Sequence, residues 1–139
     1  MAVIETIYLG DLRTEITHLQ SGNKVMTDAP TDNNGRGEYI SPTDMVAAAL
    51  GSCIATVMAM SAARYDIDLR GARMEIDKMM ATEPRRIAEI RIDFYFPGDY
   101  DAKTKTILER VADVCPVSKS LHPELRQIVN FHYNTGESK

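Results

Sequence analysis

Two cysteines carry the most reactive side chains in this chain of 139 residues. Cys53 lies inside a long uncharged run, and Cys115 stands directly before Pro116. The thiolate is the reactive form of cysteine, so the chemistry open to each residue depends on its pKa. Free backbone amides at a predicted helix end would favour the thiolate of Cys115. Cys53 lies too deep in its helix for this effect, and a buried thiol keeps its proton unless a cation compensates.

Arginines that are distant in the sequence are the candidates for that cation. Arg13 falls on a predicted strand and Arg36 in a predicted loop, and both are plausible donors. The alternative for either cysteine is inert packing, because free cysteine often behaves as a small buried hydrophobe. Spacing alone leaves these alternatives open.

The helix that holds the first cysteine is predicted from the residues at its start. Ser41 can cap free amides, Pro42 suits the first helical position, and Asp44 completes a capping box. No charged residue occurs from Met45 to Ala63, which predicts a central helix buried on several sides. A membrane span is the weaker alternative, because small residues dominate the run and no basic cluster precedes it.

The other elements are predicted from hydrophobic periodicity and turn residues. Three short strands near the N-terminus form an antiparallel meander, and a loop over 28–40 leads from it to the central helix. Two longer alternating strands form a hairpin, and an amphipathic helix, a short turn and a final strand follow before a frayed tail at 134–139. The predicted strands lie at 3–9, 12–19, 24–27, 67–80, 87–96 and 127–133, the second helix at 101–115, and the turn at 117–121. These elements indicate a single α+β domain over residues 1–139.

Composition restricts the class of protein. Apolar residues make up 44% of the chain and the net charge is −4, which is typical of a globular protein and argues against a nucleic-acid partner. The N-terminus lacks the features of a signal peptide, so we expect a cytoplasmic location and free rather than disulfide-bonded cysteines. His18, His122 and His132 are scattered, with no spacing typical of a metal site.

The cysteine segments resemble those of the OsmC/Ohr family, the osmotically induced and organic-hydroperoxide-resistance proteins. The resemblance extends over essentially the whole chain, and the two cysteine motifs stand sixty-two residues apart. It implies the α+β OsmC-like fold, with antiparallel sheets wrapped around long central helices in an intertwined homodimer. The second subunit would then cover the outer side of the uncharged helix. The matching residues are Ser41-Pro42, Met45–Ala49, Ser52-Cys53 and Val114–Ser118.

The resemblance also implies an enzyme, a thiol-dependent peroxidase of the antioxidant stress response. It would reduce organic hydroperoxides and, less well, hydrogen peroxide. Cys53 matches the reactive cysteine, Cys115 the resolving cysteine, and Arg13 the activating arginine. A dithiol reductant, such as a lipoyl group or another thiol, would restore both cysteines, and no metal or organic cofactor is required. The apolar side chains expected to suit an alkyl tail are Met45, Leu50, Ile54, Phe94 and Phe96.

The chain departs from the family at the residue that orients the arginine. The family has a glutamate directly after the proline that opens the central helix, and this chain has Thr43 there. Either Asp44 or Glu38 is expected to supply the missing carboxylate, or the arginine is held differently. The departure keeps two other functions open: a non-catalytic OsmC-like domain that binds a small apolar ligand or senses redox state, and a structural dimer with inert cysteines.

Overall fold

The fold is α+β. The computed structural model describes residues 1–134, which form two compact units, Met1–Val46 and a second unit that begins at Ala47. Of the predicted tail, residues 135–139 lie outside the described part of the chain. The prediction of a single domain over 1–139 stays a prediction.

The first unit contains the predicted antiparallel meander. Strands β1 (Ile4–Gly10), β2 (Arg13–His18) and β3 (Lys24–Asp28) pair in the order β1-β2-β3. Asp11 and Leu12 join the first two strands, and both have positive φ, 54° and 63°. Two-residue hairpin turns of the primed types require this conformation. The turn places Arg13 at the first position of β2.

The loop from 29 to 40 folds back on the end of β3. It contains one 3-10 turn at Thr31–Asn33, and the Asp28 N–H donates to the Ile40 carbonyl oxygen over 3.2 Å. Gly35 allows the close approach, because a Cβ there would lie 1.7 Å from the Ala29 carbonyl oxygen. The loop therefore begins and ends beside Asp28.

Helix α1 (Pro42–Ala63) begins as predicted, with the Asp44 N–H donating to Ser41 Oγ over 3.0 Å. By length and composition alone it could cross a membrane, but the core helix of a soluble protein passes the same test. In the single chain α1 buries one stripe, and the predicted burial of its outer side by a second subunit stays a prediction. That stripe is Ala47, Leu50, Gly51, Ile54, Met58 and Ala62. The exposed residues after Pro42, named here the small-residue face, are Ala48, Ala49, Ser52, Thr56, Ala59, Met60 and Ala63.

The second unit contains the other sheet, with strands β4 (Arg73–Thr82), β5 (Arg85–Tyr95) and β6 (Arg126–His132) in the order β4-β5-β6. The antiparallel β4–β5 pair confirms the predicted hairpin. The expectation of antiparallel sheets fails at β6, which runs parallel to β5. The two helices between β5 and β6 form a crossover, which returns the chain in the same direction.

Those helices are α2 (Ala102–Ala112) and α3 (Pro116–Ser120). Asp101 caps α2, its Oδ1 accepting from the Thr104 N–H over 2.8 Å, as the sequence predicts. The core of the second unit consists of fully buried side chains from β5, α1 and α2. The largest of them are Ile90, Ile92, Phe94, Leu50, Ile54, Met58 and Leu108.

Candidate functional site

The two cysteines come together in the second unit. Both are free thiols, and they lie close enough that the Cys53 side chain helps to raise the pKa of the Cys115 thiol. Cys53 lies in the middle of α1 and is half-buried, whereas Cys115 is fully buried. Cys53 is therefore the thiol that a reagent can reach, and Cys115 is its buried neighbour.

Cys115 is the N-cap residue of α3, and its Sγ accepts from the Ser118 N–H over 3.4 Å. The amides of Ser118 and Val117 lower the pKa of Cys115, as predicted, but they do not decide its net shift. Burial raises the pKa of the Cys115 thiol and the Cys53 side chain raises it further, which outweighs the lowering by the amides. Cys115 is thus held as a protonated thiol.

Gly51 allows α1 to lie close to β4, one half-turn before the accessible cysteine. A Cβ at Gly51 would lie 2.5 Å from Ile76 Cδ1 and 3.5 Å from Met74 Sδ. The absence of a side chain at this position therefore sets the depth at which this part of α1 sits on the second sheet.

Arg13 is the centre of a second cluster, in the first unit. Its Nε donates to Asp28 Oδ1 over 2.7 Å and its Nη2 to Asp28 Oδ2 over 2.8 Å. Nη2 also donates to Glu38 Oε1 over 2.6 Å, and the guanidinium carbon lies 4.6 Å from the centre of the Tyr39 ring. These bonds raise the pKa of Arg13 above its ordinary value. Among the described residues, none accepts a hydrogen bond from Nη1, so this nitrogen keeps two donors for a ligand.

Asp28 is the functional candidate that the sequence missed. It is 1% exposed, and its Oδ2 also accepts from the backbone N–H groups of Glu38 and Tyr39, over 3.1 and 3.2 Å. The Arg13 guanidinium, followed by these amides, lowers the pKa of the Asp28 carboxyl to about 2. The feature that could have identified Asp28 is the register of the β2–β3 hairpin, which pairs Arg13 directly with Asp28.

The candidate supports for Arg13 lie in different places. Glu38 contacts Arg13 directly. Asp44 and Thr43 lie in the first turn of α1 instead. There the Asp44 backbone N–H donates to Ser41 Oγ, and the Thr43 hydroxyl is hydrogen-bonded to the same oxygen. Arg36, the other candidate cation, pairs with the exposed Asp11 over 3.1 Å. The carboxylates that hold Arg13 therefore come from β3 and the loop after it, and not from the start of α1.

Two cavities lie in the second unit. One of about 550 Å³ is lined by Ile54, Ala112 and Phe131 on its apolar side and by Ser118 and Gln127 among its polar residues. The other, of about 420 Å³, includes Phe94 in its wall. Of the side chains expected to contact an alkyl tail, Met45 is half-buried, and the other four belong to the buried core: Leu50, Ile54, Phe94 and Phe96.

No group of three or more potential metal ligands occurs among the described residues.

The family model described as OsmC-like protein matches residues 35–128. A crystal structure from Psychrobacter arcticus, named for the osmotic stress induced and detoxification response, has 45% sequence identity and a TM-score of 0.92. The similarity covers 95% of this chain and 96% of the Psychrobacter chain. The protein therefore belongs to the OsmC family, and the expected OsmC-like fold is confirmed.

More distant solved structures share the fold. The organic hydroperoxide resistance protein OsmC of Legionella pneumophila has 14% identity and a TM-score of 0.74, with 95% of this chain and 98% of that chain covered. The organic hydroperoxide resistance protein of Elizabethkingia anophelis has 15% identity and a TM-score of 0.68, with 96% and 98% covered. A search of proteins with curated descriptions finds no match.

Proposed function

We propose that this protein is a cysteine-based peroxidase that reduces organic hydroperoxides, with Cys53 as the attacking thiol and Cys115 as the resolving thiol. The observation that carries the proposal is the neighbouring pair of free thiols, one of them accessible and the other buried. Family membership adds support, because two proteins of the same fold are named organic hydroperoxide resistance proteins.

In the first step the Cys53 thiolate attacks the terminal oxygen of the hydroperoxide. The O–O bond breaks, the alkoxide leaves and takes a proton to become an alcohol, and Cys53 becomes a sulfenic acid. Arg13 is proposed to stabilise the thiolate and to polarise the O–O bond. Its Nη1 is the nitrogen suited to this, since its Nε and Nη2 already donate to Asp28 and Glu38.

In the second step the Cys115 sulfur attacks the sulfenic sulfur of Cys53. The S–O bond breaks, the S–S bond forms, and the hydroxide leaves as water with the proton of Cys115. A dithiol then reduces the protein disulfide through a mixed disulfide and is itself oxidised to a disulfide. One hydroperoxide and one dithiol thus give an alcohol, water and a disulfide.

The working form is proposed to be a cytoplasmic homodimer. The small-residue face of α1 is uncharged and exposed in the single chain, as are apolar side chains of the first sheet that include Ile4, Ile7, Tyr8 and Val25. Exposed apolar surface on each of these elements is typical of an interaction site. The family resemblance implies that a second copy of the chain covers these surfaces.

The test is consumption of cumene hydroperoxide by the reduced protein in the presence of a dithiol. We expect turnover with the wild type and none with Cys53→Ser. With one equivalent of hydroperoxide and no dithiol, Cys115→Ser should consume the hydroperoxide and then stop, with Cys53 held as a sulfenic acid that dimedone captures. A wild-type protein whose two thiols titrate normally but which consumes no hydroperoxide would contradict the proposal. A disulfide that forms and is reduced without turnover would instead favour the redox-sensing alternative.

A further inference from the structure

Ser118 connects Cys115 to the second sheet through all of its polar groups. Its backbone N–H donates to Cys115 Sγ over 3.4 Å, and its hydroxyl donates to Gln127 Oε1 over 2.5 Å. Its carbonyl oxygen accepts from Gln127 Nε2 over 3.0 Å. Two opposed hydrogen bonds therefore join the first turn of α3 to β6, and this pair is named here the Ser118–Gln127 clamp.

The clamp is anchored on a regular strand. Gln127 pairs with Ile90 in the parallel ladder between β6 and β5, and the Ile90 side chain is fully buried. Helix α3 has only five residues, so its own backbone bonds do little to fix its position. The position of Cys115, its N-cap residue, thus depends on what α3 is attached to.

We propose that Gln127 is a positioning residue for the resolving step, acting through Ser118. The clamp holds Cys115 Sγ beside Cys53, so that the disulfide closes without a rearrangement of α3. This inference rests on the proposed function, because it concerns the step in which Cys115 displaces hydroxide from the Cys53 sulfenic acid. Misplacement of reacting groups by about 1 Å can cost about 100-fold in rate, so a hydrogen-bonded support of the thiol has a kinetic consequence.

Slow closure would also expose Cys53 to damage. A sulfenic acid that persists reacts with a second hydroperoxide, which transfers one oxygen and leaves as an alcohol, and the cysteine becomes a sulfinic acid that thiols do not restore. The clamp therefore protects the attacking cysteine when hydroperoxide is in excess.

The experiment compares Gln127→Leu, which removes both bonds of the clamp, with Ser118→Ala, which removes the hydroxyl bond alone. One equivalent of cumene hydroperoxide is added, and disulfide closure is followed by acid quench and mass spectrometry. We expect closure to slow by about tenfold or more in Gln127→Leu and by less in Ser118→Ala. The double variant should close no more slowly than Gln127→Leu, because both substitutions act on one interaction. Peroxide consumption in the first turnover should stay at the wild-type rate.

Gln20→Leu is the matched control, since Gln20 is an exposed glutamine in the first unit. Disulfide closure at the wild-type rate in Gln127→Leu would overturn the inference. Attack on the hydroperoxide that is slowed as much as closure would also overturn it, because the substitution would then disturb the whole structure. If Gln127→Leu does not fold, Ser118→Ala decides by the same criteria.

Diamide separates this inference from the proposed function. It oxidises two thiols to a disulfide and is reduced to a hydrazine, so closure can be followed without hydroperoxide. We expect disulfide closure by diamide to be slower in Gln127→Leu and Ser118→Ala than in the wild type. Closure at the wild-type rate in these variants would overturn the inference. A wild-type protein that closes with diamide but consumes no hydroperoxide would contradict the peroxidase alone.

Discussion

Arg13 and Asp28 face each other across β2 and β3, and two hydrogen bonds of 2.7 and 2.8 Å join the guanidinium to the carboxylate. Asp28 is 1% exposed, whereas Glu38, the second partner of Arg13, is 63% exposed. Water and salt screen an exposed pair far more than a buried one. We therefore infer that Asp28 does most to orient Arg13, and that Glu38 adds a contact from the loop.

Replacing Asp28 with asparagine should slow the attack of Cys53 on cumene hydroperoxide by about tenfold or more, because an amide cannot hold the guanidinium as a charged two-point partner. Glu38→Gln should have a smaller effect, since exposed ion pairs contribute little. The measurement is the second-order rate constant of the first turnover. Equal losses in the two variants would contradict the assignment of Asp28 as the main support.

The Asp28 carboxyl also predicts a dependence of stability on pH. Its pKa is lowered from 3.8 to about 2 in the folded protein, mainly by Arg13. The unfolded chain therefore binds a proton at Asp28 at a higher pH than the folded chain does. The stabilisation is complete above pH 3.8 and is lost as the pH falls toward about 2.

Urea unfolding of the wild type and of Asp28→Asn, in steps from pH 5 to roughly pH 2, measures this contribution. The difference in the free energy of unfolding between the two proteins should shrink as the pH falls. Because the other acidic groups are common to both proteins, the difference isolates Asp28. A difference that stays constant over this range would contradict the predicted linkage.

Close packing between α1 and β4 at Gly51 predicts a cost for any larger residue. Gly51→Val should lower the free energy of unfolding by roughly 1–3 kcal/mol, because its side chain meets Ile76 and Met74. Gly51→Ala is the control with a smaller added side chain. The terminal methyl group of Ile76 can rotate away from a single added carbon, and alanine gains about 1 kcal/mol over glycine in a helix. Urea unfolding tests both, and a valine variant as stable as the wild type would contradict the packing argument.

The sequence was sufficient to predict most helices and strands and to select most of the candidate site residues. The cap at Ser41, the meander and the β4–β5 hairpin each follow from local patterns, and the structure confirms them. The two cysteines could be selected because their motifs match a known family. Their contact could not be derived from spacing, since it depends on how α1 and α3 pack.

What the sequence could not supply depends on long-range geometry. The predicted third strand ends one residue early and leaves Asp28 in the loop, although the hairpin register places this residue opposite Arg13. The parallel direction of β6 depends on the crossover through α2 and α3. The raised pKa of Cys115 depends on a burial that no local pattern reveals.

The small-residue face of α1 predicts that one added charge will separate the proposed dimer. Ala59→Glu places a carboxylate on this face, where burial against a second copy would leave it unpaired and strongly unfavourable. Sedimentation equilibrium should show a dimer for the wild type and a monomer for this variant. Ala102→Glu is the matched control, because Ala102 is exposed at the first turn of α2, where an acidic residue suits the helix dipole. A dimer that survives Ala59→Glu, or a wild type that sediments as a monomer, would show that this face is not the interface.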